Sequence, residues 1–215
     1  RTPPRQEFKF GCNAFGHPSL GADYDRYFTQ LFNFATVPFY WKTFEPKPDT
    51  PGFERVDRQV NWLRNAGITP KGHPLVWFHD VGIPEWMAKQ PYHAVKLALR
   101  QRILEITRHY GDRIPYYDVI NEAHDVPWAN DLGYSAEQFL DLTRLASETA
   151  KVGSPNVRRI VNSCCLWARQ VRYTRKPPTS VSKTMPRLRP RQRDMRLSLR
   201  VWMGVPSMVT RPEVG

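Results

Sequence analysis

Short apolar, β-branched runs alternate with amphipathic helical stretches through residues 8–164, and this rhythm constrains the fold more than any other property of the chain. Residues 8–15 read as a first strand and 24–32 as a short helix. Residues 32–37 make a second strand closed by Pro38, and a Pro-rich loop at 45–52 follows. Val56, Val60 and Leu63 recur at helical spacing within 54–65, and Gly67 stands where a helix C-terminus favours positive φ. A third strand at 68–77 precedes a long helix over 92–110, with Val95, Leu99, Ile103 and Ile106 on one face. The fourth strand spans 114–121. Ser135-Ala136-Glu137-Gln138 is a capping box, and Phe139, Leu142, Leu145 and Val152 line one face of the helix it starts, which Gly153 ends. A fifth strand covers 157–164.

Strands separated by helices imply parallel pairing through right-handed crossovers. A (β/α)8 TIM barrel and an open doubly wound sheet both satisfy that rule. No Gly-rich phosphate loop follows the first strand, which disfavours the dinucleotide-binding form of the second. The 215 residues suit one domain, whereas a full barrel typically needs ~250. The expected fold is therefore α/β, an incomplete TIM barrel of about five βα units over residues 1–167.

From Ala168 the pattern stops. Prolines 177, 178, 186 and 190 interrupt any element, and Arg187-Leu188-Arg189-Pro190-Arg191-Gln192-Arg193 has no capping logic. Residues 168–215 hold ten Arg and two Lys against Asp194 and Glu213, so +10 of the net charge of +12 sits in this basic tail. The body is nearly balanced, which argues against a nucleic-acid-binding domain. The abrupt change favours out-of-frame or truncated text over a disordered basic arm for nucleic acid.

Cys12, Cys164 and Cys165 lack metal-ligand spacing and read as small hydrophobes at strand positions. No stretch reaches the ~20 apolar residues of a membrane span. The amino terminus shows no apolar signal core, as expected if a leader has been removed or the text begins inside its gene.

Polar residues collect where strands finish: His73 and Trp77 on the third, Asn121 and Glu122 on the fourth. In a (β/α)8 barrel those ends form the reactive rim. The run Tyr116-Tyr117-Asp118-Val119-Ile120-Asn121-Glu122-Ala123 ends an alternating strand in an amide beside a carboxyl group. Glycosidic-bond cleavage needs that pair on one side of a sugar ring. The acid protonates the departing oxygen, while the amide hydrogen-bonds a neighbouring hydroxyl. Seven Trp, nine Tyr and eleven Phe suit stacking on sugar faces, and equally an ordinary large core. Asp118 is expected to point away from Asn121 and make a structural hydrogen bond or ion pair.

Residues 8–167 resemble glycoside hydrolase family 10, the endo-1,4-β-xylanases. Gly72-His73-Pro74-Leu75-Val76-Trp77 looks like the family's Gly-His-Thr-Leu-Val-Trp block, with Pro84-Glu85-Trp86 at the family's distance. Asp118-Val119-Ile120-Asn121-Glu122-Ala123 looks like its Asp-Val-Val-Asn-Glu-Ala block. Trp41 and Glu45-Pro46 look like its second-strand block. The resemblance implies that Glu122 is the acid/base and that Asn121 and His73 reach the sugar beside the cut, with Trp77 shaping the floor. It also implies a xylan-like polysaccharide partner, a monomer acting outside the cell or in a periplasm, and no cofactor, metal, nucleic acid or membrane.

Departures accompany the matches. Where the family offers Glu, Asn and Lys to the sugar, this chain has Thr36, Val37 and Tyr40, and Phe78 then His79 replace a histidine after Trp77. The family's nucleophile ends a seventh strand. Only Asp194 and Glu213 are acidic after Trp167, and neither follows a strand. A nucleophile is therefore not identifiable, and little or no turnover is expected of this polypeptide. A non-catalytic carbohydrate-binding domain and a basic-tail nucleic-acid-binding protein stand as alternatives.

Overall fold

The computed structural model describes residues 8–123 and 130–162. Cys164, Cys165, Asp125 and the whole basic tail lie outside these residues. Five strands run in chain order: β1 (Gly11–Asn13), β2 (Phe34–Pro38), β3 (Thr69–His73), β4 (Tyr116–Asn121) and β5 (Arg158–Asn162). Each pairs in parallel with its sequence neighbour, giving one sheet of order β1-β2-β3-β4-β5. Between them lie α1 (Gly21–Leu31), α2 (Trp41–Phe44), α3 (Phe53–Asn65), α4 (Glu85–Ala88), α5 (Tyr92–Tyr110) and α6 (Ala136–Gly153). Strictly sequential parallel order is the order of a (β/α) barrel wall. A doubly wound sheet reverses direction partway.

The helices form where apolar spacing allows one face to be buried. Val56, Val60 and Leu63 of α3 and Val95, Leu99, Ile103 and Ile106 of α5 are all essentially inaccessible. Ser135 accepts from the Gln138 amide, and the Gln138 side chain accepts from the Ser135 amide, completing the predicted capping box. Gly67 adopts φ 73°, the left-handed turn expected of it.

Several boundaries differ from expectation. The short helices α2 and α4 fall in stretches to which the sequence assigns no helix, each only one turn long. β3 ends at His73, so Trp77 lies beyond it. Pro74 has no N–H for the ladder, although Leu75 N–H still reaches the Asp118 carbonyl at 2.9 Å and Asn121 N–H the Val76 carbonyl at 2.9 Å. Val152 is 62% exposed, because it stands off the face of α6 that buries Phe139, Leu142, Ala146 and Ala150. Cys12 is half-buried on the thinly covered β1.

The register also explains Gly72. It pairs with Tyr117 across β3 and β4, and a Cβ there would lie 2.3 Å from the Tyr117 ring. Only glycine lets that buried ring cross the strand.

Candidate active site

β4 brings the amide and the carboxyl group to the end of the sheet. Its pairing with β5 shifts register between Asp118 and Ile120, so strict alternation does not carry through to Asn121. Asn121 is buried, and its side-chain oxygen accepts from the Asn162 side-chain amide of β5. The next residue, Glu122, is partly buried and donates its backbone N–H to the Asn162 carbonyl at 2.9 Å. Its φ is 54°, in the left-handed region that non-glycine residues rarely occupy. Such strain costs on the order of 1–3 kcal/mol and persists where surrounding structure enforces it. Here the β4–β5 backbone bond does so, turning the chain sharply at the carboxylate.

His73 ends β3 in a buried charge cluster. Its Nδ1 is 2.6 Å from Asp118 Oδ2, and the Lys71 ammonium donates to the same oxygen at 2.6 Å. Asp118 is completely buried, and its other oxygen has no hydrogen-bond partner among the described residues. Burial lowers the His73 pKa, against the opposing pull of the Asp118 carboxylate. A carboxylate only accepts, so Nδ1 of the neutral ring carries the proton and Nε2 is the acceptor.

Tyr40 follows the end of β2 and packs against both rim aromatics. Its ring centroid is 5.5 Å from His73, edge to face, and 5.8 Å from Trp77. Burial, then the charges of Glu122 and Asp118, push its phenol up to about 12. Trp77 is half-buried and stacks on His79 at 4.8 Å. Its indole N–H is buried without a partner among the described residues.

Other matched residues support loops. Trp41 Nε1 donates to Glu45 Oε2 at 2.8 Å, and Trp86 Nε1 to the Glu45 carbonyl at 3.3 Å. The Arg102 guanidinium, buried and lowered to about 9 by desolvation, donates to the carbonyls of Phe39 and Leu75 and so ties the ends of β2 and β3 together. Glu85 is highly exposed, with Lys42 at 3.9 Å. His79, Asp80 and Asp131 bring an imidazole and two carboxylates within 4.8 Å. They satisfy one another: His79 Nδ1 meets Asp80 Oδ1 at 2.6 Å, and the Asp80 amide donates to Asp131 Oδ2. That arrangement ties the loop after β3 to the segment before α6. A groove of about 380 Å³ near Trp41, Trp86 and Glu105 is not lined by Glu122, Asn121 or His73.

Thus Glu122, Asn121, His73 and Trp77 gather around the ends of β3 and β4. Lys71, Tyr40 and Asn162 join them without having been read as site residues. Lys71 had a signal, since it lies two residues before His73 on the same strand face. Tyr40 had one too, since it stands where the sequence resemblance places a sugar-binding lysine. Asn162 comes from a separate element, and only the register of β5 against β4 brings it in.

Residues 5–164, more than half of the chain, match the model of Glycosyl hydrolase family 10. The chain belongs to that family. A β-1,4-xylanase of Dictyoglomus thermophilum is 30% identical over 83 residues, covering 39% of this chain and 23% of the relative. An endo-1,4-β-xylanase A of Phanerodontia chrysosporium is 24% identical over 126 residues, or 57% of this chain and 30% of the relative. Among solved structures, xylanase 10B of Thermotoga petrophila RKU-1, in complex with xylobiose, superposes with a TM-score of 0.60 at 22% identity, over 72% of this chain and 49% of that one. This family 10 chain therefore spans less than a third of those two relatives and about half of that structure. The likeness establishes the fold: an incomplete (β/α) barrel.

Proposed function

We propose that this chain carries the proton-donating side of a retaining, endo-acting glycoside hydrolase for β-1,4-xylan or a related β-linked polysaccharide, with Glu122 as acid/base. One observation carries the reading: in a family 10 chain, a partly buried carboxyl group stands on a left-handed backbone at the end of a parallel strand. Glu122 protonates the glycosidic oxygen as the bond breaks, then as carboxylate takes a proton from the attacking water. Asn121 and His73 hold the sugar beside the cut, and Trp77 shapes the floor under it. The xylanase names of the relatives favour the substrate class. A polymeric substrate favours action outside the cell or in a periplasm.

Retention needs a second carboxylate ~5–5.5 Å from the first to form the glycosyl-enzyme. No such partner carboxylate follows a strand pattern after Trp167 in the sequence, and losing a covalent catalyst costs several orders of magnitude in rate. The 215-residue polypeptide is therefore expected to bind xylo-oligosaccharides while releasing few or no reducing ends. Titration calorimetry with xylohexaose, paired with a reducing-end assay on xylan, tests both halves. Binding without turnover supports the reading. Robust hydrolysis abolished by Glu122→Gln would keep the acid/base role and overturn the missing nucleophile. Hydrolysis indifferent to Glu122→Gln, or no binding, would sink the assignment of the site.

A further inference from the structure

We propose that Tyr40 is a specificity-determining residue of this site, its phenol hydroxyl donating a hydrogen bond to a ring hydroxyl of the sugar that lies beside Asn121 and Glu122. The inference rests on the glycoside hydrolase reading above and adds to it a residue that the four rim positions do not include.

Three rings fix where Tyr40 points. His73 meets it edge to face at 5.5 Å and 85°, Trp77 packs at 5.8 Å and 49°, and Phe15 closes a third side at 6.2 Å and 80°. The backbone is held as well, since the neighbouring Phe39 N–H donates to the His73 carbonyl at 2.7 Å and Pro38 pairs with His73 in the sheet. The side chain therefore stands beside two rim residues from β3 and its following loop. Its phenol lies near enough to Glu122, the residue after β4, to feel that charge.

Tyr40 also differs from the tyrosines of the core. Tyr110 and Tyr117 are almost wholly buried, with hydroxyls that lack partners among the described residues. Tyr40 is only half-buried. Like any phenol it is protonated at neutral pH, and burial with two nearby carboxylates extends that range upward, so it acts there as a neutral donor. Sugar hydroxyls accept as readily as they donate, and a fixed donor that costs little entropy to hold discriminates hydroxyl position.

The test uses titration calorimetry on the full chain and on Tyr40→Phe, with xylotriose and its monodeoxy analogues. Tyr40→Phe keeps the ring and its packing, and circular dichroism confirms that the fold is retained. Xylotriose should bind the variant about 5–10-fold more weakly than the unaltered chain, as for one lost hydrogen bond. One deoxy analogue should bind the unaltered chain more weakly by a similar factor, yet bind Tyr40→Phe as xylotriose does. A merely structural role would not couple the phenol to one sugar hydroxyl. Equal affinity of both proteins for xylotriose, or unchanged discrimination by the variant, overturns the role of Tyr40 alone. Failure of the unaltered chain to bind xylotriose overturns this inference together with the hydrolase reading.

Discussion

His73 shares one carboxylate oxygen with a lysine, and that sharing shapes its response to acid. Its folded pKa is lowered, chiefly by burial, from an ordinary value of 6.5. The unfolded chain therefore takes up this proton more readily than the folded one. The stability the neutral ring contributes is fully present above pH 6.5 and is lost as pH falls below it towards the folded value. Urea midpoints followed from neutral pH downward should fall more steeply for the unaltered chain than for His73→Gln, which contacts Asp118 but cannot titrate. Parallel profiles would mean that His73 takes no part in the acid response. Legibility at this scale follows the distance between partners in the sequence. Asn121 and Glu122 are neighbours ending one strand, so composition and alternation expose them. The Lys71–Asp118 pair crosses 47 residues and depends on the register of β3 against β4, which no local pattern encodes. The sequence makes Asp118 a structural partner, and the structure supplies what it partners: a lysine and a neutral imidazole on one oxygen.

Helices α5 and α6 pack closely at Gly153, which sequence spacing assigns to helix termination. In the structure Gly153 is the last residue of α6, and a Cβ built on it would lie 1.8 Å from Thr107 Oγ1 and 2.9 Å from Thr107 Cβ. Thr107 is itself fully buried, with its hydroxyl on the Ile103 carbonyl at 2.7 Å, so it has little room to move. Gly153→Ala should therefore destabilise the protein by about 1–3 kcal/mol through overpacking, despite the better helix propensity of alanine. Thr107→Ala removes the colliding hydroxyl, and the double variant should lose less than the sum of the two single changes. Additive losses in urea unfolding would place the strain elsewhere. The elements themselves were legible because their signals are local: apolar faces at helical spacing, a capping box, a glycine past a helix end. Element ends were less so. β3 stops early because Pro74 lacks a ladder N–H, and Val152 stands off the buried face of α6.

The order of the five strands follows from the rhythm of the chain, but the gradient of burial across them does not. β2, β3 and β4 pair on both sides, and their central residues are buried. β1 and β5 each pair on one side among the described residues. β1 is half-covered, and β5 leaves Arg158, Arg159 and Val161 exposed. As sequence, 157–164 looks as strand-like as 114–121, because β-branched spacing reports propensity and not the number of neighbours. Amide exchange reads that number, since protection grows with burial and with bonds that must open together. Peptides covering 34–38, 69–73 and 116–121 should exchange slowest in deuterated buffer, and those covering 11–13 and 158–162 markedly faster. The two ends carry different weight in this comparison. Fast exchange of β1 reflects a three-residue strand with little cover. Fast exchange of β5 would mean that nothing pairs with its outer edge, the condition under which a barrel wall cannot close. Protection of β5 equal to that of β4 would contradict this prediction. It would require a further strand from beyond residue 162, and with it a continuation of the barrel in text that carries no strand pattern.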